Sequence, residues 1–237
     1  MTFAFERIME QAKQAIKDAN QEDMLKIAIF IMHYIEKDLV DDKYVVHIQG
    51  LAYNDEVLSI DHKQTCSQPS LVALMADLLE LENGLNVLEI GTGCGYSAAL
   101  TKRLIGKSGS LVTVEYIPEL AWISKKNLSR HFRQNFDVVP MQELGTMQSL
   151  DDLVLVEGDG SMGIPSWAPF NRIYLTAGVA SGFNPGILSD QLASDYGVLL
   201  YPEKDGSLIK EVYREGKCVS RQMISKVSFV PLVGENS

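Results

Sequence analysis

The sequence predicts an α/β fold: a mostly parallel sheet covered by helices, with an antiparallel hairpin at one edge and a helical extension in front. Three observations predict it. From residue 69 onward, strand-like apolar runs alternate with helical stripes, the pattern of helices packed on a parallel sheet. The first apolar run, Leu85 to Ile90, passes straight into a glycine-rich turn. Near the C-terminal end, two extended runs flank Glu215-Gly216, a pair suited to a tight hairpin turn.

The elements follow in order. Residues 4 to 38 read as two helices, because Phe5, Ile8, Met9, Ala12 and Ile16 keep helical spacing and Met24, Ala28, Ile31 and Ile35 repeat it. Residues 1–50 are therefore assigned to an N-terminal helical extension and 51–237 to one globular unit. Leu71, Leu74, Met75 and Leu78 form a helical stripe after Pro69, and Asn83-Gly84 breaks it before the first strand. A second strand is expected at Ser110 to Glu115. Pro118 suits the first turn of the next helix, which runs towards Phe132. Further strands are expected at Leu153 to Val156, Arg172 to Thr176 and Gly197 to Tyr201. The stretch from Asn135 to Asp152, of mixed composition, reads as an insertion on the same domain.

Composition narrows the function classes. The 237 residues hold 21 Lys plus Arg against 31 Asp plus Glu, a formal charge of −10, so a nucleic-acid partner would meet net repulsion. The longest apolar run, Ile27 to Met32, is far short of the roughly 20 residues that span a bilayer. Neither nucleic acid nor membrane is expected as a partner; the oligomeric state is not legible. Cys66, Cys94 and Cys218 match neither a metal knuckle nor a disulfide framework, which fits a reducing, cytoplasmic setting. His33, His47, His62 and His131 are scattered, so no metal is expected. Trp122 and Trp167 are expected to pack rather than to stack on a base, since neither has a basic surround in sequence.

The chemistry concentrates in Val87-Leu-Glu-Ile-Gly-Thr-Gly-Cys-Gly-Tyr96. Glycines at 91, 93 and 95 let the backbone turn tightly after a strand and approach a ligand closely. A dinucleotide fingerprint would read GxGxxG, but here the third glycine comes one residue early and Tyr96 follows. That favours a ligand without phosphate, and S-adenosylmethionine is the usual occupant of a GxGxG turn. Glu115 falls 20 residues beyond Gly95 at the end of the second strand, where a carboxylate accepts both hydrogens of a ribose diol. Glu89 is expected near the methionine ammonium. In Glu157-Gly-Asp-Gly160, Asp159 is expected to take the adenine amino group while Gly158 and Gly160 let the backbone approach the ring.

These residues also resemble the protein-L-isoaspartate O-methyltransferases, a family with the Rossmann-like class I methyltransferase fold. The similar runs are Leu51-Ala-Tyr-Asn-Asp-Glu56, Gln64-Thr-Cys-Ser-Gln-Pro-Ser-Leu-Val-Ala-Leu-Met75, Val87 to Tyr96, Ile117-Pro-Glu-Leu120, Glu157 to Gly160 with Met162-Gly163, Ala168-Pro-Phe170 and Val227-Ser-Phe-Val-Pro-Leu232. The Thr-x-Ser-x-Pro run at Thr65 is the specific part. The resemblance implies an S-adenosylmethionine-dependent enzyme that methylates the carboxylate of isoaspartyl residues in damaged proteins. It aligns Ser67 with the family's active-site serine, in a segment that closes over the methyl group. The expected cofactor set is Gln64, Thr65, Glu89, Gly91, Thr92, Gly93, Gly95, Glu115, Tyr116, Gly158, Asp159 and Gly160. Read on its own, Ser67 is as well explained as a helix N-cap before Pro69.

The sequence departs from the family pattern at Asp61 and Lys63, where glycines are common, and at Cys66, which replaces a common isoleucine. The segment from Ala177 to Phe183 is glycine-rich and about two residues longer than the family's Ala-Ala-Ala-Pro, and the usual Arg-Val-Pro-Arg motif is missing. Two alternatives therefore stand beside repair: a carboxyl methyltransferase for another peptide or small molecule, and a cofactor-binding module without turnover. A nicotinamide dehydrogenase fits poorly.

Overall fold

The computed structural model describes residues 55–146, 152–180 and 182–236; the two helices expected over residues 4 to 38 lie outside them. The described chain begins with a small hairpin, β1 (Leu58–Asp61) and β2 (Gln64–Cys66), and helix α1 (Pro69–Leu78). There follow β3 (Asn86–Ile90), α2 (Tyr96–Ile105), β4 (Ser110–Glu115), α3 (Pro118–Phe132), β5 (Val138–Pro140) and β6 (Leu153–Glu157). The last part holds β7 (Arg172–Leu175), the short α4 (Gly186–Ser189), β8 (Gly197–Pro202), β9 (Ser207–Arg214) and β10 (Lys217–Lys226).

The main sheet runs β10-β9-β8-β7-β3-β4-β6-β5. From β5 to β8 every neighbouring pair is parallel; β9 and β10 are antiparallel. The expected hairpin is present, with Glu215 and Gly216 at φ 51° and 69°, the left-handed pair that matches strand twist. Buried Glu211 pins it, accepting bonds from Tyr201 (3.0 Å), Tyr213 (2.7 Å) and Arg221 (3.0 Å). The 135 to 152 stretch is not a mere insertion, because Val138–Pro140 pairs with β6 as the opposite edge strand. Its three residues carry too little periodicity to register in the sequence, and a proline is tolerated at an edge.

Alternate residues of the central strands feed two cores. Val87, Leu111, Leu153, Leu155, Val198 and Leu200 face α1 and α2 with Leu128 of α3. Leu88, Ile90, Val112, Val114, Val154 and Ile173 face the other side, with Ile164, Phe170 and Leu188. Strands buried on both faces read as continuous apolar runs, which is why β3, β4, β6, β7 and β8 stand out in the sequence.

The strand order places the reversal of winding between β3 and β7, since the chain goes from β3 to β4 on one side and returns to β7 on the other. Open parallel sheets bind ligands outside the carboxyl ends of the strands at such a point. Trp122 departs from expectation: it is 57% exposed on α3, with the Lys126 ammonium 4.8 Å from its ring centroid and Lys125 and Arg130 nearby. Lys125, Lys126 and Arg130 stand three, four and eight positions after Trp122 in the sequence, and the helix brings them to one side of its ring.

Candidate active site

A cleft of about 910 Å³, part of it open to solvent, lies at the carboxyl ends of β3, β4 and β7. The glycine turn forms its floor. Gly91 has φ 101°, and a Cβ there would overlap the hydroxyl of Thr176, which itself donates to the Gly91 carbonyl. Only glycine meets both conditions. Gly93 (φ 57°) presents its amide to Glu115, donating to Oε2 at 2.7 Å, while the Ile117 amide donates to Oε1 at 3.0 Å. These bonds hold the carboxylate in one orientation at the cleft wall. A carboxylate has about four lone-pair sites, so acceptor capacity remains for a diol. Burial pushes the Glu115 pKa up, against the lowering pull of the Ile117, Gly93 and Tyr116 amides.

Of the expected site residues, the cleft is lined by Gln64, Thr65, Ser67, Gly91, Thr92, Gly93, Glu115, Tyr116 and Gly160. Gly160 packs so tightly that a Cβ would come within 3.1 Å of Ile90 and Val114, which brings its backbone to the cleft. Ser67 lies on the rim, between the small hairpin and α1. It is not the helix cap: the cap position is Gln68 without a side-chain bond, and the Asp55 carboxylate takes the Ser70 amide at 2.9 Å and hydroxyl at 2.7 Å.

Four expected residues are not in the lining. Gly95, at the start of α2, gives way to α3; a Cβ there would meet Leu128 at 3.1 Å and Ser124 at 3.4 Å. Gly158 makes room for Met141. Asp159 is occupied by the C-terminal segment, accepting from the amides of Ser161 and Glu235 at 2.9 Å each. Burial raises its pKa, but these amides outweigh it and hold the carboxyl below its usual range. Gly234 allows this approach, since a Cβ would strike Asp159 and Ser161. The Asn236 amide then donates to Ser161 Oγ at 3.0 Å.

Glu89 lies behind the cleft wall with no exposed surface. Thr113 donates to its Oε2 at 2.5 Å and Tyr174 to its Oε1 at 2.8 Å. With its proton given to Glu89, the Thr113 hydroxyl accepts from Thr92 at 2.6 Å, so Glu89 reaches the cleft through Thr113 and Thr92 on one side and through Ser97, which lines the cleft, on the other. Burial raises its pKa from 4.5 to about 7, against the opposing hydroxyl bonds. The unfolded chain therefore loses this proton first as pH rises, and stability falls between pH 4.5 and 7. Glu89→Gln lacks that penalty. Urea unfolding is expected to shift in favour of the variant, relative to the parent, by about 3 kcal/mol between about pH 4 and about pH 8.

Other cleft residues were not legible as a site. Ile60 comes from β1 and would lie 3.4 Å from a Cβ at Gly93. Val230, Pro231, Leu232 and Val233 form a wall, held where the Gly178 amide donates to Val230 at 2.7 Å and the Leu232 amide to Gly178 at 2.8 Å. Only the pairing of distant backbone segments brings them there. The adjacency of Cys66 and Cys94 is a third such feature. Among the described residues no cluster suits a metal ion.

The comparisons with known proteins agree with this geometry. The family model for protein-L-isoaspartate (D-aspartate) O-methyltransferase matches residues 6–237. Protein-L-isoaspartate O-methyltransferase 1 of Archaeoglobus fulgidus is 40% identical over 185 residues, covering 78% of this chain and 76% of that protein. The enzyme of the same name from Methanococcus maripaludis is 39% identical over 193 residues, 80% of each chain. A solved protein-L-isoaspartate O-methyltransferase superposes with a TM-score of 0.69 at 26% identity, covering 96% of this chain and 67% of that one. A Plasmodium falciparum structure in complex with S-adenosyl-L-homocysteine, 21% identical, shares the fold with a TM-score of 0.64 over 96% of this chain and 97% of that one. This chain belongs to the protein-L-isoaspartate O-methyltransferase family, whose members have the Rossmann-like class I methyltransferase fold and use S-adenosylmethionine.

Proposed function

We propose that this chain methylates the side-chain carboxylate of L-isoaspartyl residues in damaged peptides and proteins, with Ser67 as the residue that holds the carboxylate. The observation that carries this reading is the placement of Ser67 in one cleft with the Gly91–Gly93 turn and Glu115. The cleft fits S-adenosylmethionine on three counts: a backbone that admits no Cβ at Gly91, a carboxylate oriented by amides at Glu115, and apolar walls from Ile90, Leu120 and Val230. Gln64, Thr65, Thr92, Tyr116 and Gly160 complete the residues that would hold it. When bound, S-adenosylmethionine supplies an electrophilic methyl group on a sulfonium.

The protein's own task is placement. A substrate carboxylate of ordinary pKa about 4 is already ionised at neutral pH, so no general base is needed. Ser67 donates its hydroxyl hydrogen to one carboxylate oxygen and leaves the other free to point into the cleft. Fixing both reactants in line is worth up to about 7 to 11 kcal/mol. Apolar walls exclude water from a step in which anion and cation cancel. Glu89, outside the lining, acts by bracing Thr113 and Thr92. Asp159 anchors the C-terminal segment beside the Gly160 backbone. Cys66, Cys94 and Cys218 form no disulfide, which supports a cytoplasmic setting.

The test uses labelled cofactor with an isoaspartyl peptide and its normal aspartyl twin. Base-labile methyl ester is expected on the first only; equal labelling of both would reject repair specificity. Ser67→Ala is expected to lower kcat about 10- to 100-fold with S-adenosylhomocysteine affinity unchanged.

A further inference from the structure

Two cysteines that are 28 residues apart in sequence, Cys66 and Cys94, meet in the cleft. Cys66 ends β2, and Cys94 sits in the glycine turn two residues before α2 begins. Neither is in a disulfide, and the Cys66 side chain is hydrogen-bonded to that of Cys94. That bond is the foremost cause holding the Cys94 pKa below its ordinary value; burial opposes it and the Tyr96 amide assists. The thiolate is the reactive form of cysteine. Both residues are only partly buried and line a cleft open to solvent, so a small oxidant can reach them. Cys218 lies on β10, the edge strand four places from β3, and cannot take part.

The hairpin that carries Cys66 is a separate two-stranded ribbon, not part of the main sheet. Such ribbons have little stability of their own. Its tip, His62 and Lys63, lies in the left-handed region at φ 50° and 60°, which disfavours side-chain-bearing residues. The ribbon forms one wall of the cleft beside the glycine turn, and a Cβ at Gly93 would lie 3.4 Å from Ile60.

We propose that Cys66 and Cys94 are a redox pair whose disulfide ties the hairpin to the glycine turn and closes the cleft against cofactor binding. With hydrogen peroxide as oxidant, the Cys94 thiolate attacks one peroxide oxygen, the O–O bond breaks, and the departing hydroxide takes up a proton as water. The resulting sulfenic acid is attacked by the Cys66 thiolate; the S–S bond forms, the S–O bond breaks, and the second water leaves. Two thiols and one peroxide thus give one disulfide and two waters. A dithiol reverses it by exchange. The bond adds a second fixed point beside Ile60, and it immobilises the residue next to Ser67.

Cys218→Ser protein, treated with hydrogen peroxide and alkylated, tests this by peptide mass mapping and by titration with S-adenosylhomocysteine. The expected result is a Cys66–Cys94 linked peptide with cofactor-product affinity reduced at least about tenfold, both reversed by dithiothreitol. Protein preloaded with S-adenosylhomocysteine should form the link more slowly. Adding Cys66→Ser or Cys94→Ser should remove the reversible change, each variant being compared with its own reduced form. Absence of the linked peptide overturns the proposal, as does a linked protein with unaltered binding. Neither readout depends on which carboxylate is methylated, so failure here is separable from failure of the repair reading.

Discussion

Gly91→Val is expected to weaken S-adenosylhomocysteine binding by about 10² to 10³-fold, the largest loss from a single substitution in the cleft. Two costs coincide. At φ 101° a side-chain-bearing residue is strained, typically by about 1 to 3 kcal/mol. Any Cβ also overlaps the Thr176 hydroxyl, which is held in place by its bond to the Gly91 carbonyl. Relief of either cost alone is partial. Gly91→Ala combined with Thr176→Ala removes the overlap and keeps the strain, so calorimetry should show it binding better than Gly91→Ala alone; circular dichroism checks that each variant is folded. Equal affinity for parent and Gly91→Val would remove the turn from the cofactor site.

Glu115→Ala is expected to cost about 10²-fold in the same titration. The loss has two parts: the acceptor for a ribose diol, and the group that orients the Gly93 and Ile117 amides. Glu115→Gln separates them, because one carbonyl oxygen survives to accept a single amide or hydroxyl; its affinity should fall between parent and alanine. For an adenosyl analogue lacking the ribose hydroxyls, the loss from parent to Glu115→Ala should be smaller, because only the amide-orienting part remains. Burial raises the Glu115 pKa, so parental affinity should decline on acidification before an ordinary carboxylate would protonate. Glu115→Ala should lack that decline.

The parts of the fold that were legible are those where one physical demand writes itself along the chain. Ser110–Glu115 and Pro118–Phe132 match their expected bounds, one because both faces are buried and the other because Pro118 sets its start. Glu215-Gly216 declares its hairpin through left-handed backbone. The hairpin β1–β2 was silent for the opposite reason: its turn is His62-Lys63, neither residue a turn former, both at positive φ. Site residues divide the same way. The glycine turn and Glu115 sit at strand ends, where topology alone brings them together. Asp159 and Glu89 have the right chemistry, but their partners, Glu235 in one case and Tyr174 in the other, come from remote segments. Spacing carries no record of such partners, and the same holds for Cys66 beside Cys94.

The wall formed by Val230 to Val233 gives the cleft an unusual dependence on chain length. Its floor is laid down by residues 90 to 117, yet its last side arrives more than a hundred residues later and is anchored through Gly178, Asp159 and Ser161. During synthesis the nascent chain thus exposes an open trough until that strip emerges and docks. Ligand present at 100 times its dissociation constant adds about 2.7 kcal/mol to whatever state can hold it, and here that state is the one with residues 230–236 docked. The cofactor would then act as a late clasp, favouring the docked strip over any intermediate that lacks it.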